Sequence, residues 1–363
     1  MSIPVIPNIK YAELQERFDS NGPTRRIPLT ASVELTFRCN LRCAHCYINR
    51  PAGDAASKRR ELSRSDWREL FAGMADHGCL WLLLTGGEPF LRPDLRTIYM
   101  DAKRQGLLVT LFTNATLLTP GIVDWLCDYP PYAIEVTLYG RSRETYERVT
   151  GAAGSYDRCM AGIELLAERG LPLKLKTMVL TLNRHELADM KSYAAQLGVE
   201  FYYDAVVNAR LDGGRQPLSC RLTPQQVVDL DREDPQRSRS WLDFCKRFRE
   251  IPVDPDKLYD CGAGVTTCNI DPYGRLSACG LARTPSYDLT RGSFSRGWDQ
   301  FLPGVLEQKW RRRSPCRNCE LSALCNQCPA WAQLENHDAQ SRVPYLCEIA
   351  HLRWSEFGKG GAL

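Results

Sequence analysis

From residue 30 to about residue 208 the chain repeats one pattern six times, a short β-rich run followed by a helical segment. That alternation is the signature of a parallel sheet built from β-α units. The expected strands are Ser32–Phe37, Trp81–Thr85, Leu107–Thr113, Ala133–Tyr139, Leu173–Leu180 and Val199–Val206. In the first helical segment Trp67, Leu70, Phe71 and Met74 share one face, after a Ser63-x-x-Asp66 start of capping-box type with Asp in place of Glu. Tyr156, Met160, Ile163, Leu166 and Ala167 do the same in a later segment, which Gly170 and Pro172 stop. Six such units predict an α/β fold, a partial (β/α)6 barrel, with its chemistry on the loops leaving the carboxyl ends of the strands. The first strand runs into Cys39 and the second into Thr85-Gly86-Gly87-Glu88-Pro89, so those two loops are the candidates.

At roughly one domain per ~150 residues, the 363-residue chain should hold two or three domains. The reading is an N-terminal segment over 1–29, the barrel over 30–210, the barrel end and a polar linker over 211–260 with one helix after Thr223-Pro224, and a small cysteine-rich α+β domain over 261–363. One hairpin is legible there, Thr267–Asp271 and Arg275–Ala278 around Asp271-Pro272-Tyr273-Gly274. Apolar residues at 44% and charged residues at 25% exclude a disordered chain or a coiled coil. A net charge of +4 announces no nucleic-acid or membrane partner. The start, MSIPVIPNIK, is not a signal peptide, and no stretch approaches the ~20 apolar residues of a membrane span, so a cytoplasmic protein is expected. Sixteen cysteines in a reducing compartment then point to metal instead of disulfides.

Cys39-x3-Cys43-x2-Cys46 puts three thiols in eight residues of one loop. Three thiolates on a four-iron cluster leave one iron open, as a catalytic centre requires. The bland alternative is a structural zinc knot completed by His45 or a distant residue. The motif after the first strand resembles the cluster-binding loop of radical S-adenosylmethionine (SAM) enzymes, and Gly86-Gly87-Glu88-Pro89 after the second resembles that family's motif for the SAM amino group. In this resemblance His45 is the ring beside the adenine. Two glycines would let backbone approach a ligand, and Glu88 would offer a carboxylate to an ammonium group. The same resemblance puts Thr137 and Arg148 near SAM, although relatives often carry Asp where this chain has Tyr139. Asn114 and Asn183, at strand ends, are candidate ligand contacts or structural turn residues.

The C-terminal cysteines are Cys261, Cys268, Cys279, Cys316-x2-Cys319-x5-Cys325-x2-Cys328 and Cys347. Paired as Cys-x2-Cys they could hold zinc. Their order resembles the SPASM extension of radical SAM peptide maturases, with two residues instead of the usual three between Cys325 and Cys328. That likeness assigns Cys261, Cys268, Cys279 and Cys328 to a nearer auxiliary cluster and Cys316, Cys319, Cys325 and Cys347 to a farther one. Cys79, Cys127, Cys159, Cys220 and Cys245 stand alone and read as small core residues, Cys220 and Cys245 being alternative hydrogen donors to a radical. Arg311-Arg312-Arg313 reads as a solvated turn, or as a grip on an acidic peptide or a reductase.

The resemblance implies an enzyme with SAM and three [4Fe-4S] clusters, one SAM-binding and two auxiliary. It would cleave SAM to a 5′-deoxyadenosyl radical and abstract hydrogen from a ribosomally made peptide, for crosslinking, oxidation or excision. Gly280 stands where sulfatase-maturing relatives carry Asp, which disfavours formylglycine formation. Only about 30 residues precede the first strand, fewer than a fused leader-binding domain needs. A separate small leader-binding (PqqD-like) protein and a flavodoxin or ferredoxin-type reductant are therefore the expected partners. The alternatives are a radical SAM enzyme acting on a small molecule or cofactor precursor such as a tetrapyrrole, and a zinc-stabilised binding protein. Tyr139, Tyr202, Tyr203 and Asp204 lie near strand ends facing the cavity, without a sequence rule for which point inward.

Overall fold

The computed structural model describes residues 26–358 apart from 49, 252, 253 and 326. Most of the expected N-terminal segment, residues 1–25, lies outside the described residues. All six expected strands form: β1 Thr30–Thr36, β2 Trp81–Gly86, β3 Leu108–Thr113, β4 Ala133–Thr137, β5 Leu173–Met178 and β6 Glu200–Asp204, each parallel to the next in an open sheet. Val33, Leu35, Leu82, Leu84, Val109, Leu111, Val136 and Leu175 are buried in the core. The intervening positions, among them Phe112, Thr137, Lys176 and Tyr202, line an inner cavity. The pleat thus sorts an apolar face from a polar one. β4 and β5 end earlier than their apolar runs because the Asn183 side chain clamps the exit. Its amide donates to the carbonyls of Tyr139 and Met178, both at 3.1 Å, and its oxygen accepts from the Leu180 N–H at 2.8 Å.

The crossover helices are α1 Arg64–Asp76, α2 Leu95–Arg104, α3 Pro120–Asp128, α4 Arg143–Thr150, α5 Ser155–Glu168 and α6 Leu187–Gln196. The Ser63/Asp66 capping box of α1 is present with both hydrogen bonds, and Trp67, Leu70, Phe71 and Met74 are its buried face. The buried face of α5 is rotated from the expected one: Cys159, Gly162, Ile163 and Leu166 are covered, while Tyr156, Met160 and Ala167 flank them half-buried. The closest approach runs through small residues, since a Cβ on Gly162 would stand 2.3 Å from the Ala115 carbonyl oxygen.

The stretch expected as linker carries two helices, α7 Pro224–Glu233 and α8 Pro235–Arg247. Only the first was legible, from Thr223-Pro224 at its start, where a Thr223/Gln226 capping box forms. In α8 Cys245 is the one fully buried residue, and Trp241, Leu242 and Phe244 pack half-buried against the core beside it, a short apolar stripe that the sequence reading passed over in a polar stretch. Polar contacts anchor it as well: Asp234 caps its start, and the fully buried Asp231 accepts from Arg237 at 2.6 Å and Arg353 at 2.9 Å.

The C-terminal hairpin forms as β7 Thr267–Ile270 and β8 Arg275–Ser277, with the Asp271 carboxylate accepting the N–H groups of Tyr273 and Arg275 across the turn. The segment set apart from residue 261 nevertheless continues the barrel sheet, because β7 pairs parallel with β1 in the register Ala31↔Cys268. A short β9, Tyr287–Asp288, extends β8, and helices α9 Pro329–Asn336 and α10 Pro344–Phe357 complete the chain. Among the described residues no helix is long and apolar enough to cross a membrane.

Candidate active site at the mouth of the barrel

The Cys39–Cys46 loop leaves β1 and lies over the carboxyl ends of the strands. Its backbone is fastened to the end of α4, where the N–H groups of Arg42 and Ala44 donate to the carbonyls of Thr150 and Val149 at 2.8 and 2.9 Å. Leu41 anchors it at 1% exposure. Asn114, leaving β3, braces it from the other side, donating to Asn40 Oδ1 at 3.0 Å and facing Cys39 Sγ at 3.8 Å. Asn114 is therefore a support for the thiol loop as well as a wall residue.

The two glycines of the second loop serve a contact the sequence reading assigned to a ligand. A Cβ on Gly86, whose φ is 132°, would lie 2.2 Å from the Thr36 carbonyl oxygen, and one on Gly87 would lie 2.1 Å from that of Arg38. Gly87 N–H donates to the Thr36 carbonyl at 2.6 Å and Glu88 N–H to that of Arg38 at 2.9 Å. The glycines thus let this loop lie against the exit of β1, beside the cysteines. Glu88 is wholly buried and turned to β3, accepting from Phe90 N–H, Thr113 Oγ1 and Asn114 N–H at 3.1, 2.8 and 2.8 Å. Burial pushes its carboxyl up to about 7 against the pull of these donors. Pro89 opens the short 3-10 turn Pro89–Leu91 and is buried.

Cys39, Cys43, Cys46, His45, Gly86, Gly87, Thr137 and Tyr139 all line one cavity of about 360 Å³. Burial raises the Cys39 thiol to about 12 and raises Cys43 well above its ordinary value, and Cys46 opposes the ionisation of both. Such thiols need a cation to become thiolates. His45 meets the Tyr139 hydroxyl at 3.3 Å through Nε2, its Nδ1 is buried without a partner, and desolvation lowers it to about 4, so it is a neutral ring. Arg148 is not brought to this cavity; it is exposed on α4 and donates to the Leu182 carbonyl at 2.8 Å. Of the residues near the last strand, Tyr202 and Asp204 line the cavity while Tyr203 is buried and donates to the Leu230 carbonyl.

The sequence reading missed a charged floor. Lys176 on β5 donates to Glu135 on β4 at 3.0 Å, lies 2.6 Å from the Phe112 ring centre, and shares Glu135 with the Tyr202 hydroxyl. Desolvation lowers Lys176 to about 7, partly offset by Glu135. Alternation of charge with apolar residues in Leu173–Met178 was the available signal.

In the C-terminal segment Cys316, Cys319, Cys325 and Cys347 surround one small cavity. Cys261, Cys279 and Cys328 line a second, of about 510 Å³, with Cys316 at its edge. Cys268 lines neither and is buried in the core at 2% exposure. Among the described residues no three His, Cys, Asp or Glu side chains are arranged to hold a single metal ion. Of the lone cysteines, Cys79, Cys159, Cys220 and Cys245 are buried as expected, whereas Cys127 is exposed.

Residues 33–194 match the radical SAM superfamily. The chain is 31% identical over 289 residues to a PqqA peptide cyclase of Ruegeria pomeroyi, covering 78% of this chain and 74% of that protein. It is 27% identical over 340 residues to the AdoMet-dependent heme synthase of Methanosarcina barkeri, covering 88% of this chain and 96% of the other. Streptococcus suis SuiB, solved with its precursor peptide SuiA, shares the fold with a TM-score of 0.68 at 16% identity over 93% of this chain and 78% of that one. The chain belongs to the radical SAM superfamily and is an enzyme. Membership implies SAM and a [4Fe-4S] cluster as its cofactors.

Proposed function

We propose that this chain is a cytoplasmic radical SAM peptide maturase that binds SAM at a [4Fe-4S] cluster on Cys39, Cys43 and Cys46 and abstracts hydrogen from a ribosomally made peptide. The observation that carries the reading is the shared cavity, in which three thiols of one loop face the backbone of Thr85–Gly87 and the neutral His45–Tyr139 pair. The donor set fits the group: Cys39 Sγ already accepts the Leu41 N–H at 3.4 Å, and the unpartnered His45 Nδ1 awaits a donor or acceptor. When bound, the reduced cluster supplies the electron that cleaves SAM to methionine and a 5′-deoxyadenosyl radical.

The chain's own residues hold and shield. Glu88 and Asn114 keep the glycine and thiol loops in register, and Thr137 offers a hydroxyl at the cavity wall. Tyr139 and His45 close the side with rings 5.1 Å apart, and Lys176 supplies a floor able to change protonation near neutrality. These walls limit water at the reacting centre and fix the substrate C–H bond. Two further clusters in the C-terminal segment, a separate leader-binding protein and a flavodoxin or ferredoxin-type reductant complete the reading. Peptide is favoured because a relative named for a peptide substrate, the PqqA peptide cyclase of Ruegeria pomeroyi, aligns over 78% of this chain, and the bacteriocin subtilosin biosynthesis protein AlbA of Bacillus subtilis aligns over 83%.

A second reading, a tetrapyrrole or similar small molecule, is favoured by the heme synthase match across 96% of that protein. Anaerobic reconstituted enzyme with dithionite and SAM should release 5′-deoxyadenosine faster with a panel of ribosomal precursor peptides. Stimulation by a tetrapyrrole and by no peptide would replace the first reading with the second.

A further inference from the structure

The wall that His45 and Tyr139 give the barrel cavity is the first layer of an aromatic column. Behind Tyr139 stands Tyr146 of α4, with ring centres 6.1 Å apart, and behind Tyr146 stands Tyr156 of α5, 5.9 Å further on. These separations are those of aromatic rings in direct contact. Tyr139 and Tyr146 are buried, whereas Tyr156 is half-buried and lies under the exposed ion pair of Arg143 and Asp157, with the Arg143 guanidinium 5.9 Å from its ring centre. The three rings come from the loop after β4, from α4 and from α5, and together they run from the cavity to the surface.

The middle ring carries a group that packing does not explain. The Tyr146 hydroxyl is buried with no oxygen or nitrogen partner among the described residues, and only the Cys159 thiol stands beside it. A phenylalanine would fill the same space without the cost of a buried, unsatisfied hydroxyl. A redox role is one of the few reasons to keep such a group. The hydroxyls on either side are engaged: that of Tyr139 meets His45 Nε2 at 3.3 Å, and that of Tyr156 donates to the Arg141 carbonyl at 2.7 Å.

We propose that Tyr139, Tyr146 and Tyr156 form a relay that carries a radical out of the cavity when no substrate C–H bond is in place to receive it. Tyr139 gives its hydroxyl hydrogen atom to the 5′-deoxyadenosyl radical: the O–H bond breaks, a C5′–H bond forms, and 5′-deoxyadenosine and a Tyr139 phenoxyl radical result. The phenolic O–H is weaker than the C–H bond that replaces it, so the step runs downhill. One electron and one proton then pass from Tyr146 to Tyr139, and again from Tyr156 to Tyr146. Each transfer restores a phenol, and the unpaired electron ends on Tyr156. A thiol in solvent gives its hydrogen atom to that last phenoxyl and becomes a thiyl radical, two of which join as a disulfide. The path leads away from Cys39, Cys43 and Cys46, so a stray radical is spent on solvent thiol and not on the cavity wall. This inference rests on the radical SAM reading above.

Electron paramagnetic resonance tests it. Holoenzyme reduced photochemically with a deazaflavin, given SAM without peptide and frozen, should show a tyrosyl signal that narrows when the protein is made with ring-deuterated tyrosine. The hyperfine pattern of a phenoxyl radical follows the torsion of its ring about the β-carbon, so it reports which tyrosine holds the radical. Tyr156→Phe should change the pattern by stranding the radical further in, Tyr146→Phe should leave the pattern of Tyr139 alone, and Tyr139→Phe should lose the signal. Each substitution removes only a hydroxyl, and Tyr146→Phe should melt no lower than wild type, so a packing role alone predicts unchanged spectra. One pattern shared by wild type and Tyr156→Phe overturns the relay, and so does a signal that survives Tyr139→Phe. Release of 5′-deoxyadenosine without a tyrosyl signal overturns the relay and leaves the radical SAM reading standing. No 5′-deoxyadenosine from wild type overturns that reading itself.

Discussion

Replacing Gly87 by alanine tests the close approach on which the site is built. The added Cβ would lie 2.1 Å from the Arg38 carbonyl oxygen and 2.6 Å from its carbon, while real contacts stay above 3.0 Å, so the loop must retreat by about 1 Å. That retreat breaks the 2.6 Å bond from Gly87 N–H to Thr36 and the 2.9 Å bond from Glu88 N–H to Arg38. Two net hydrogen bonds at about 1 kcal/mol each, plus the desolvation of donors left unpaired, give about 2–5 kcal/mol. That is a large share of the ~5–15 kcal/mol of a typical fold. Circular-dichroism melting should show a Tm lower by about 3–7 °C for a chain of this length. Equilibrium dialysis should show SAM binding weakened about tenfold or more, since the loop that lines the cavity has moved. Gly121→Ala is the control: nothing lies within 4 Å of its added Cβ inside α3, and stability should hold or rise by about 0.5–1 kcal/mol. A Gly87→Ala protein that matches wild type in both Tm and SAM affinity would refute the argument.

Lys176→Met probes the floor through pH. The folded-state value of about 7 lies below the ordinary 10.5, so between them the unfolded chain holds a proton that the folded chain lacks, and this group adds stability as pH rises. The cost of burying the charge is fully present below pH 7 and fades toward 10.5. The stability of the variant relative to wild type should therefore fall by roughly 2 kcal/mol between pH 7 and 9 in urea titrations, and a constant difference would contradict it. Arg148→Ala should leave SAM affinity within twofold, because its guanidinium is held by Leu182 away from the cavity, whereas Thr137→Val should weaken it. Equal losses from both in dialysis would overturn that placement. Cys347→Ala should cost about four irons by removing one of the four thiols around the farther cavity, and unchanged iron content would exclude Cys347 as a ligand.

Much of this protein is local and therefore readable in its sequence. The six strands, the Ser63 capping box, the helix that starts at Thr223-Pro224 and the Asp271 turn depend on neighbours within a few residues, and all form where the pattern puts them. The gathering of Cys39, Cys43 and Cys46 follows equally from their sharing one loop. Tertiary structure alone decided the rest. Alternation states that Cys268 and Asn269 face opposite ways but not which way is inward, and that was settled by pairing β7 with β1, more than two hundred residues earlier. It decided that Gly86 and Gly87 press on the backbone of β1, and that Lys176 meets Glu135 across two strands. It also decided that the buried Asp231 of α7 holds Arg237 of α8 and Arg353 of α10 together. Such contacts join residues far apart in the chain, and periodicity carries no record of which distant partner a side chain will meet.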